Sequence, residues 1–233
     1  VEEVVHNLIE RGHLSREAAS GPWLVRVPVE AIELPDSLMA LLTARIDRLN
    51  DPTRRTLQVA SVFGRAFSRS PLVVLVDEPD DLDSHLLELQ RVELVREVAR
   101  LPEPEYAFQH TLIHEATYNT ILLRQRRVLH RRAAEVIEAM RQDGVTAVAP
   151  VLARHFLEGD APARALPYLM LAAGDALRLN ATAEAIIHYE RALPVALVQP
   201  AAEELLVQLY ISRGRALELQ SRFAEADASY QEL

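Results

Sequence analysis

The chain has 233 residues, a formal net charge of −9 and no cysteine. An acidic chain repels nucleic-acid phosphates at long range, which disfavours a general nucleic-acid binder but leaves room for a local basic face. Without cysteine, disulfides, thiol catalysis and thiolate zinc sites are excluded, and a cytoplasmic location is expected.

Lysine is also absent, and all 25 basic residues are arginine. A phosphate-binding loop of the G-x-x-x-x-G-K-[ST] type and lysine-based catalysis are therefore excluded. No apolar run reaches the roughly 18 residues that cross a bilayer, so no membrane partner is expected, and no signal peptide opens the chain. Because the sequence starts without methionine and ends within a helical pattern, we expect a piece of a longer protein.

Residues 1–34 resemble the tail of a preceding domain. Apolar residues at helical spacing predict a helix over Val1–Ile9, and alternation predicts a short strand or extended connector over Trp23–Val27. An ordinary helix and loop without a function of their own would show the same pattern.

Residues 35–110 predict a compact domain that begins with helices and ends with strands. Caps and apolar stripes predict helices over 35–49, 51–64, 72–76 and 84–92. The hydrophobic period then changes to about 2, which predicts strands over 94–99 and 106–108 around a proline-containing hairpin tip. Helices followed by a β-hairpin form the winged-helix arrangement, a variant of helix-turn-helix.

The remainder of the chain is predicted to be helical. Residues 111–160 form a connecting segment with helices over 111–122, 124–141 and 148–158, and residues 161–233 form two helical pairs. The helices of the pairs are predicted over 163–179, 181–198, 203–219 and 223–233.

The helical pairs repeat. Ala185 and Tyr189 recur as Ala226 and Tyr230 at an offset of 41 residues, longer than the tetratricopeptide period of about 34. Gly214 lies twelve residues before Ala226, where a tetratricopeptide helix needs a small residue for close helix packing. The predicted fold is therefore mainly α, with a winged-helix domain and small β-hairpin followed by a tetratricopeptide-like array of antiparallel helical pairs.

No catalytic or metal motif is convincing. His110 and His114 have the spacing of two metal ligands on one helical face, but no third ligand is evident, and Tyr118 occupies the second-histidine position of a zinc-protease box. The acidic loop 77–83 lacks the glycine and closing glutamate of a calcium loop. We predict no metal and no catalytic residue in this chain; an unrecognised enzyme site near these two histidines would require a concave pocket with a base in reach of a nucleophile.

A cluster of arginines provides the most basic surface in the sequence. It consists of Arg124, Arg126, Arg127, Arg131 and Arg132, together with His130. These side chains could contact an acidic partner domain or nucleic-acid phosphates, and because they spread around the helix, part of the cluster is expected to pair with neighbouring carboxylates. DNA reading is disfavoured because the last helix before the hairpin, SHLLELQRV, has little basic character.

Five segments follow one another along the chain: LPDSLMALLTARIDRL, RRTLQVASVFGRAF, YAFQHTLIHEATYNTIL, RRVLHRRAAEVIE and LARHFLEGDAPARALPYLMLAAGDAL. In this order they resemble the middle of large signalling ATPases of the STAND type. The resemblance is strongest to those attached to class III adenylate/guanylate cyclase domains and to bacterial transcriptional activators of the MalT and LuxR kind. The resemblance covers nearly the whole chain.

The resemblance implies an upstream AAA-like core that binds ATP or ADP, followed by a winged helix and helical repeats. In such proteins the winged helix folds onto bound ADP and one of its histidines touches the β-phosphate; His110, in the FQH motif, is the matching position. The alternative is that His110 only caps or packs the turn between hairpin and helix.

The phosphate loop and its acidic magnesium partner are missing from this chain. The resemblance therefore implies a non-catalytic regulatory segment, whose parent is an ATPase or adenylate cyclase and whose partners are a protein or the parent's own nucleotide-binding and output domains. The alternative function is a DNA-binding winged-helix transcriptional regulator.

Overall fold

The computed structural model describes residues 14–16, 23–25, 36–140, 144–198 and 203–233. Eleven helices and two small antiparallel sheets make up this part of the chain. The predicted helix over Val1–Ile9 lies outside the described residues. Strands β1 (Leu14–Arg16) and β2 (Trp23–Val25) form the smaller sheet, so the predicted strand is confirmed over its described part.

Residues 36–108 form what we call the first body, which contains four helices and three strands. The helices are α1 (Asp36–Asp47), α2 (Asp51–Phe63), α3 (Arg69–Leu75) and α4 (Leu82–Arg91). Helix α2 is well capped, because the Asn50 side chain accepts a hydrogen bond from the Thr53 amide at 2.8 Å and proline stands in its first turn. The mainly helical prediction is confirmed, although α3 begins three residues earlier than predicted.

A three-stranded antiparallel sheet completes the first body. Its strands are β3 (Ala66–Ser68), β4 (Val95–Ala99) and β5 (Glu105–Phe108), in the spatial order β3-β5-β4. The two predicted strands are confirmed, whereas β3 was not predicted because three residues are too few to show a period of 2. Phe67 lies opposite Tyr106, and their rings stack with centroids 5.8 Å apart.

The rest of the chain consists of consecutive helices. They are α5 (Thr111–Thr120), α6 (Leu123–Met140), α7 (Val145–Glu158), α8 (Pro162–Arg178), α9 (Thr182–Leu197), α10 (Glu203–Leu219) and α11 (Phe223–Glu232). Each helix from α6 to α11 packs against the next one along the chain. In the described ranges, no helix has both the length and the apolar character that crossing a membrane requires.

Helix α6 lies between two hydrophobic cores. Ala133 is fully buried in the core of the first body, with Leu129 and Val136 packed beside it. The next residue, Ala134, is fully buried in the core of the helical array, with Ile137 beside it. Adjacent residues of one helix therefore belong to different cores, because their side chains point about 100° apart around the helix axis.

Four helices end in turns of the same type. In each turn a backbone N–H donates to the carbonyl five residues earlier, and the residue preceding that N–H has a left-handed backbone. The bonds join Leu94 to Leu89, Ala161 to Phe156, Ala181 to Ala176 and Arg222 to Leu217. The left-handed residues are Glu93, Asp160, Asn180 and Ser221, with φ between 55° and 59°. This is the Schellman C-cap, here built without glycine.

Gly214 lies where α10 and α11 approach closely. A Cβ atom at this position would lie 2.4 Å from the Tyr230 ring. The small residue anticipated from the repeat therefore does sit against the partner helix, while a tetratricopeptide architecture for the array stays a prediction.

We expect Glu93→Gly to stabilise the protein by about 1 kcal/mol, because a left-handed backbone costs an L-residue about that much and costs glycine little. Urea unfolding followed by circular dichroism would measure the change. Glu93→Ala is the matched control, since it removes the carboxylate but keeps Cβ. An equal gain in both variants would attribute the effect to charge and contradict the prediction.

Candidate functional site

The predicted nucleotide contact, His110, is exposed at the start of α5. Its backbone is extended (φ −141°, ψ 149°), and its carbonyl accepts hydrogen bonds from the amides of Ile113 and His114. The imidazole makes no capping hydrogen bond. The alternative in which the His110 side chain caps the turn is therefore wrong, and the ring is accessible at the amino end of a ten-residue helix.

His114 has a different environment from His110. Its Nε2 lies 2.9 Å from the Ser61 carbonyl oxygen, and its ring packs edge-on against Phe108 with centroids 5.2 Å apart. This histidine joins α5 to α2 and is a packing residue. Within the described part of the chain, no group of three or more histidine and acidic side chains is placed to hold a metal ion.

The acidic segment 77–83, which runs into the first turn of α4, is tied into the first body. Asp83 receives two hydrogen bonds from the Arg69 guanidinium, at 2.8 and 2.9 Å. This pairing holds the pKa of Asp83 below its usual value. Glu78 lies 3.8 Å from Nε2 of His85. The loop therefore uses part of its charge for local contacts.

A buried pair of histidines connects α6 to α7. His130 and His155 expose 2% and 0% of their area, and their Nδ1 atoms lie 2.9 Å apart. On the other side of His130, Nε2 lies 2.9 Å from the Tyr118 hydroxyl. His130 was predicted to belong to the basic surface; that prediction is wrong, because the ring points between the two helices.

The hydrogen-bond geometry determines where the protons of this pair lie. The guanidinium of Arg154 can only donate, so its 3.3 Å contact makes Nε2 of His155 an acceptor. His155 then carries its proton on Nδ1 and donates to Nδ1 of His130. His130 in turn donates from Nε2 to the Tyr118 oxygen. All contacts are satisfied only when both imidazoles are neutral.

Burial and nearby cations keep the two imidazoles neutral. Burial first, and then the charge of Arg154, lowers the pKa of His155 to about 3. Burial, followed by Arg154 and Arg126, lowers the pKa of His130 to about 4. Burial also raises the pKa of Tyr118, with Glu158 contributing to that rise. Both imidazoles are thus neutral at neutral pH, and their contacts join α6 to α7.

Three members of the predicted arginine cluster are engaged inside the molecule. Arg126 donates to the Ile121 carbonyl at 2.8 Å and lies 4.4 Å from the centre of the Tyr118 ring. Arg127 pairs with Asp160 at 3.4 Å. Arg131 donates to the Gly159 carbonyl and so caps the end of α7. The structure thus shows one of the predicted carboxylate pairs.

The other two members, Arg124 and Arg132, flank a groove of ≈ 450 Å³ between α2 and α6. They are exposed and stand eight residues apart, on one helical stripe with Val128, which is 52% exposed. Arg55 of α2 lines the same groove, 3.8 Å from Asp77. We call this set of three arginines around an apolar floor the basic groove.

Sequence reasoning missed both the histidine pair and the contribution of Arg55 to the basic groove. Residues 130 and 155 are 25 positions apart, on different helices, and no periodic signal connects them. Arg55 approaches α6 only through the packing of α2 on that helix. Both features depend on how helices cross, which residue spacing within one helix does not encode.

Comparison with known proteins shows similarity over part of the chain. An uncharacterized protein of Rhizobium meliloti (strain 1021) is 34% identical over 88 residues, which make up 38% of this chain and 9% of that protein. The matched stretch is thus a small part of a much longer chain. No family model and no solved structure matches.

We expect the free energy of unfolding to decrease as the pH falls from about 6.5 toward 4. Both histidines have a folded pKa below the unfolded value, so the unfolded chain takes up protons first. Each contributes a slope of about 1.4 kcal/mol per pH unit in that window. Urea titrations at several pH values would measure the slope.

His155→Gln provides the comparison for this measurement, because glutamine can hydrogen-bond but does not titrate. The pH dependence of its stability should be flatter by about 1.4 kcal/mol per pH unit. The other charged groups around the pair, namely Arg126, Arg154 and Glu158, are unchanged in this variant. Parallel curves for the variant and the natural protein would show that His155 does not carry the effect.

Proposed function

We propose that this chain is a non-catalytic regulatory and protein-interaction segment of a larger signalling ATPase of the STAND type. The first body would serve as a winged helix that senses the nucleotide state, and the helical array would bind a protein partner or signal. The observation that supports this proposal most is the order of elements in the first body, together with the exposed histidine at its edge.

The first body follows the order α2-β3-α3-α4-β4-β5, with strands arranged β3-β5-β4. A winged helix has a short strand between its first two helices, and that strand pairs with the second strand of the terminal hairpin. The unpredicted strand β3 occupies this place. This agreement supports a winged-helix assignment for the first body.

His110 is suited to contact a nucleotide phosphate from this body. Its imidazole is exposed where the hairpin passes into α5, and no hydrogen bond from the ring to the turn competes for it. An imidazole donating to an anionic oxygen forms a charge-assisted hydrogen bond, and unpaired amides at a helix start favour the same charge. Exchange of ADP for ATP would then change how firmly the winged helix docks, which is a population shift.

The basic groove is suited to an acidic partner segment. Arg55, Arg124 and Arg132 place three cations around an apolar floor, with Asp77 as the carboxylate among the described lining residues. Complementary charge of this kind accelerates association and selects the partner. We therefore propose that the groove contacts an acidic segment of the nucleotide-binding domain or of an output domain.

DNA reading by α4 has little support from its exposed face. Asp83, Ser84, Leu87 and Arg91 are exposed there, and only the last is basic. Glu88 accepts hydrogen bonds from Asn50 and Thr53, which ties it to α2. A helix with this face is poorly matched to phosphates, so the transcription-regulator alternative is not favoured.

The nucleotide-sensing proposal predicts that His110→Ala will release bound ADP faster. The test uses the full-length protein, purified and then denatured so that released ADP and ATP can be quantified. Removal of one charge-assisted hydrogen bond should increase the ADP dissociation rate about tenfold or more. Gln109→Ala, an exposed neighbour, is the matched control.

Two results would contradict this proposal. If the His110→Ala protein retains ADP and releases it at the same rate as the natural protein, His110 does not contact the phosphate. If the full-length protein contains no nucleotide, the proposed nucleotide switch does not exist.

The basic-groove proposal predicts weaker binding of the separately purified nucleotide-binding domain to a chain carrying Arg124→Glu and Arg132→Glu. Charge reversal should raise Kd by at least about tenfold at low salt, and this difference should shrink as salt increases. Arg191→Glu with Arg215→Glu is the matched control, since both are exposed on the array. Equal weakening in both double variants would attribute the effect to net charge and contradict the groove assignment.

A further inference from the structure

A second groove lies near the C-terminal end of α6, where the first body meets the helical array. Its volume is ≈ 610 Å³, within the range of about 300–1,000 Å³ that small-molecule sites occupy. One wall comes from β3, α3 and the hairpin, and the other comes from α6 and α7. Sites between two packed bodies are common places for ligands.

The wall from the helical array is apolar. Ile137 and Met140 of α6 face the groove together with Val148 and Val151 of α7, and Phe63 closes the inner end. Met140 and Val151 leave 45% and 39% of their surface exposed, which is high for side chains that line a cavity. Covering this wall with the apolar part of a ligand would be favourable.

The wall from the first body carries the hydroxyl and acidic side chains of the groove, next to the apolar residues Ala66, Phe67 and Pro71. It carries the hydroxyls of Ser68 and Ser70 and the carboxylates of Glu103 and Glu105. Glu105 lies in β5 directly opposite Ser68 in β3, so the two side chains share one face of the sheet. Ser70 donates its hydroxyl proton to Glu103. The oxygen of Ser70 therefore remains available as an acceptor on that wall.

The charge of the described lining residues is negative. None of them is an arginine, and the imidazole that reaches the groove, His155, is neutral because its pKa is lowered to about 3. Carboxylate and hydroxyl acceptors stand on one wall and apolar side chains on the other. A primary ammonium group, with three donors and one positive charge, matches the first wall.

We propose that this groove binds a primary ammonium compound with an apolar body. The ammonium group lies against Glu105 and the hydroxyl oxygens of Ser68 and Ser70. The apolar body lies against Met140, Val151 and the side chains between them. This site is separate from the basic groove and does not depend on the proposed nucleotide switch. Its occupant bridges the first body and the array.

The test is calorimetric titration of the chain with phenylbutylamine, and with phenylbutanol and phenylbutyrate as matched neutral and anionic probes. We expect the amine to bind at least tenfold more tightly than the alcohol, and the acid to bind most weakly. Glu105→Gln should remove most of the advantage of the amine while leaving the affinity for the alcohol unchanged. Glu115→Gln, exposed on α5 outside the groove, is the matched control and should change neither affinity.

A second variant locates the apolar part of the site. Met140→Ala should weaken all three probes, because it removes apolar surface and no charge. Equal affinities for amine and alcohol, an unaltered amine affinity in Glu105→Gln, or no binding of the amine up to millimolar concentration would each overturn the proposal. Concentration-dependent dimerisation in analytical ultracentrifugation that Val151→Glu abolishes would also overturn it, by assigning the groove to a second copy of the chain.

Discussion

The hydrogen bond between the buried rings of His130 and His155 determines how the two halves of the molecule meet. It joins α6 to α7 and continues to Tyr118 of α5, a helix that packs against α1 and α2 of the first body. Arg154, which donates to His155, also donates to the Phe63 carbonyl at 2.9 Å and so reaches the end of α2. Because an unsatisfied buried polar group costs about 1–3 kcal/mol, this chain of donors favours a single arrangement of the two cores.

Both candidate binding surfaces depend on that arrangement. The basic groove lies where α2 packs on α6, and the proposed ammonium-binding groove lies where β3 and α3 face α6 and α7. A small rotation of the first body about α6 would change the width of the two grooves. In the proposed signalling role, docking of the first body onto a nucleotide would therefore be communicated to any molecule held in either groove.

The sequence predicted local structure well and long-range contacts poorly. The helices predicted over 51–64 and 148–158 are observed as Asp51–Phe63 and Val145–Glu158, so their ends agree within a few residues. Strand β3 escaped prediction because it exists only through its pairing with β5. The arginine cluster was found from composition, but which arginines bond to other residues of the chain depends on the crossing of α6 and α7. That crossing also buries His130, which composition alone would place on the surface.

The adjacent burial of Ala133 and Ala134 in separate cores has a consequence for the history and handling of this chain. If the chain were divided on either side of α6, one of the two cores would lose the residues that this helix contributes to it. The two halves are therefore not independent modules that recombination could exchange separately. Either half, if transferred to another protein, would therefore need to carry the 18-residue helix Leu123–Met140 with it.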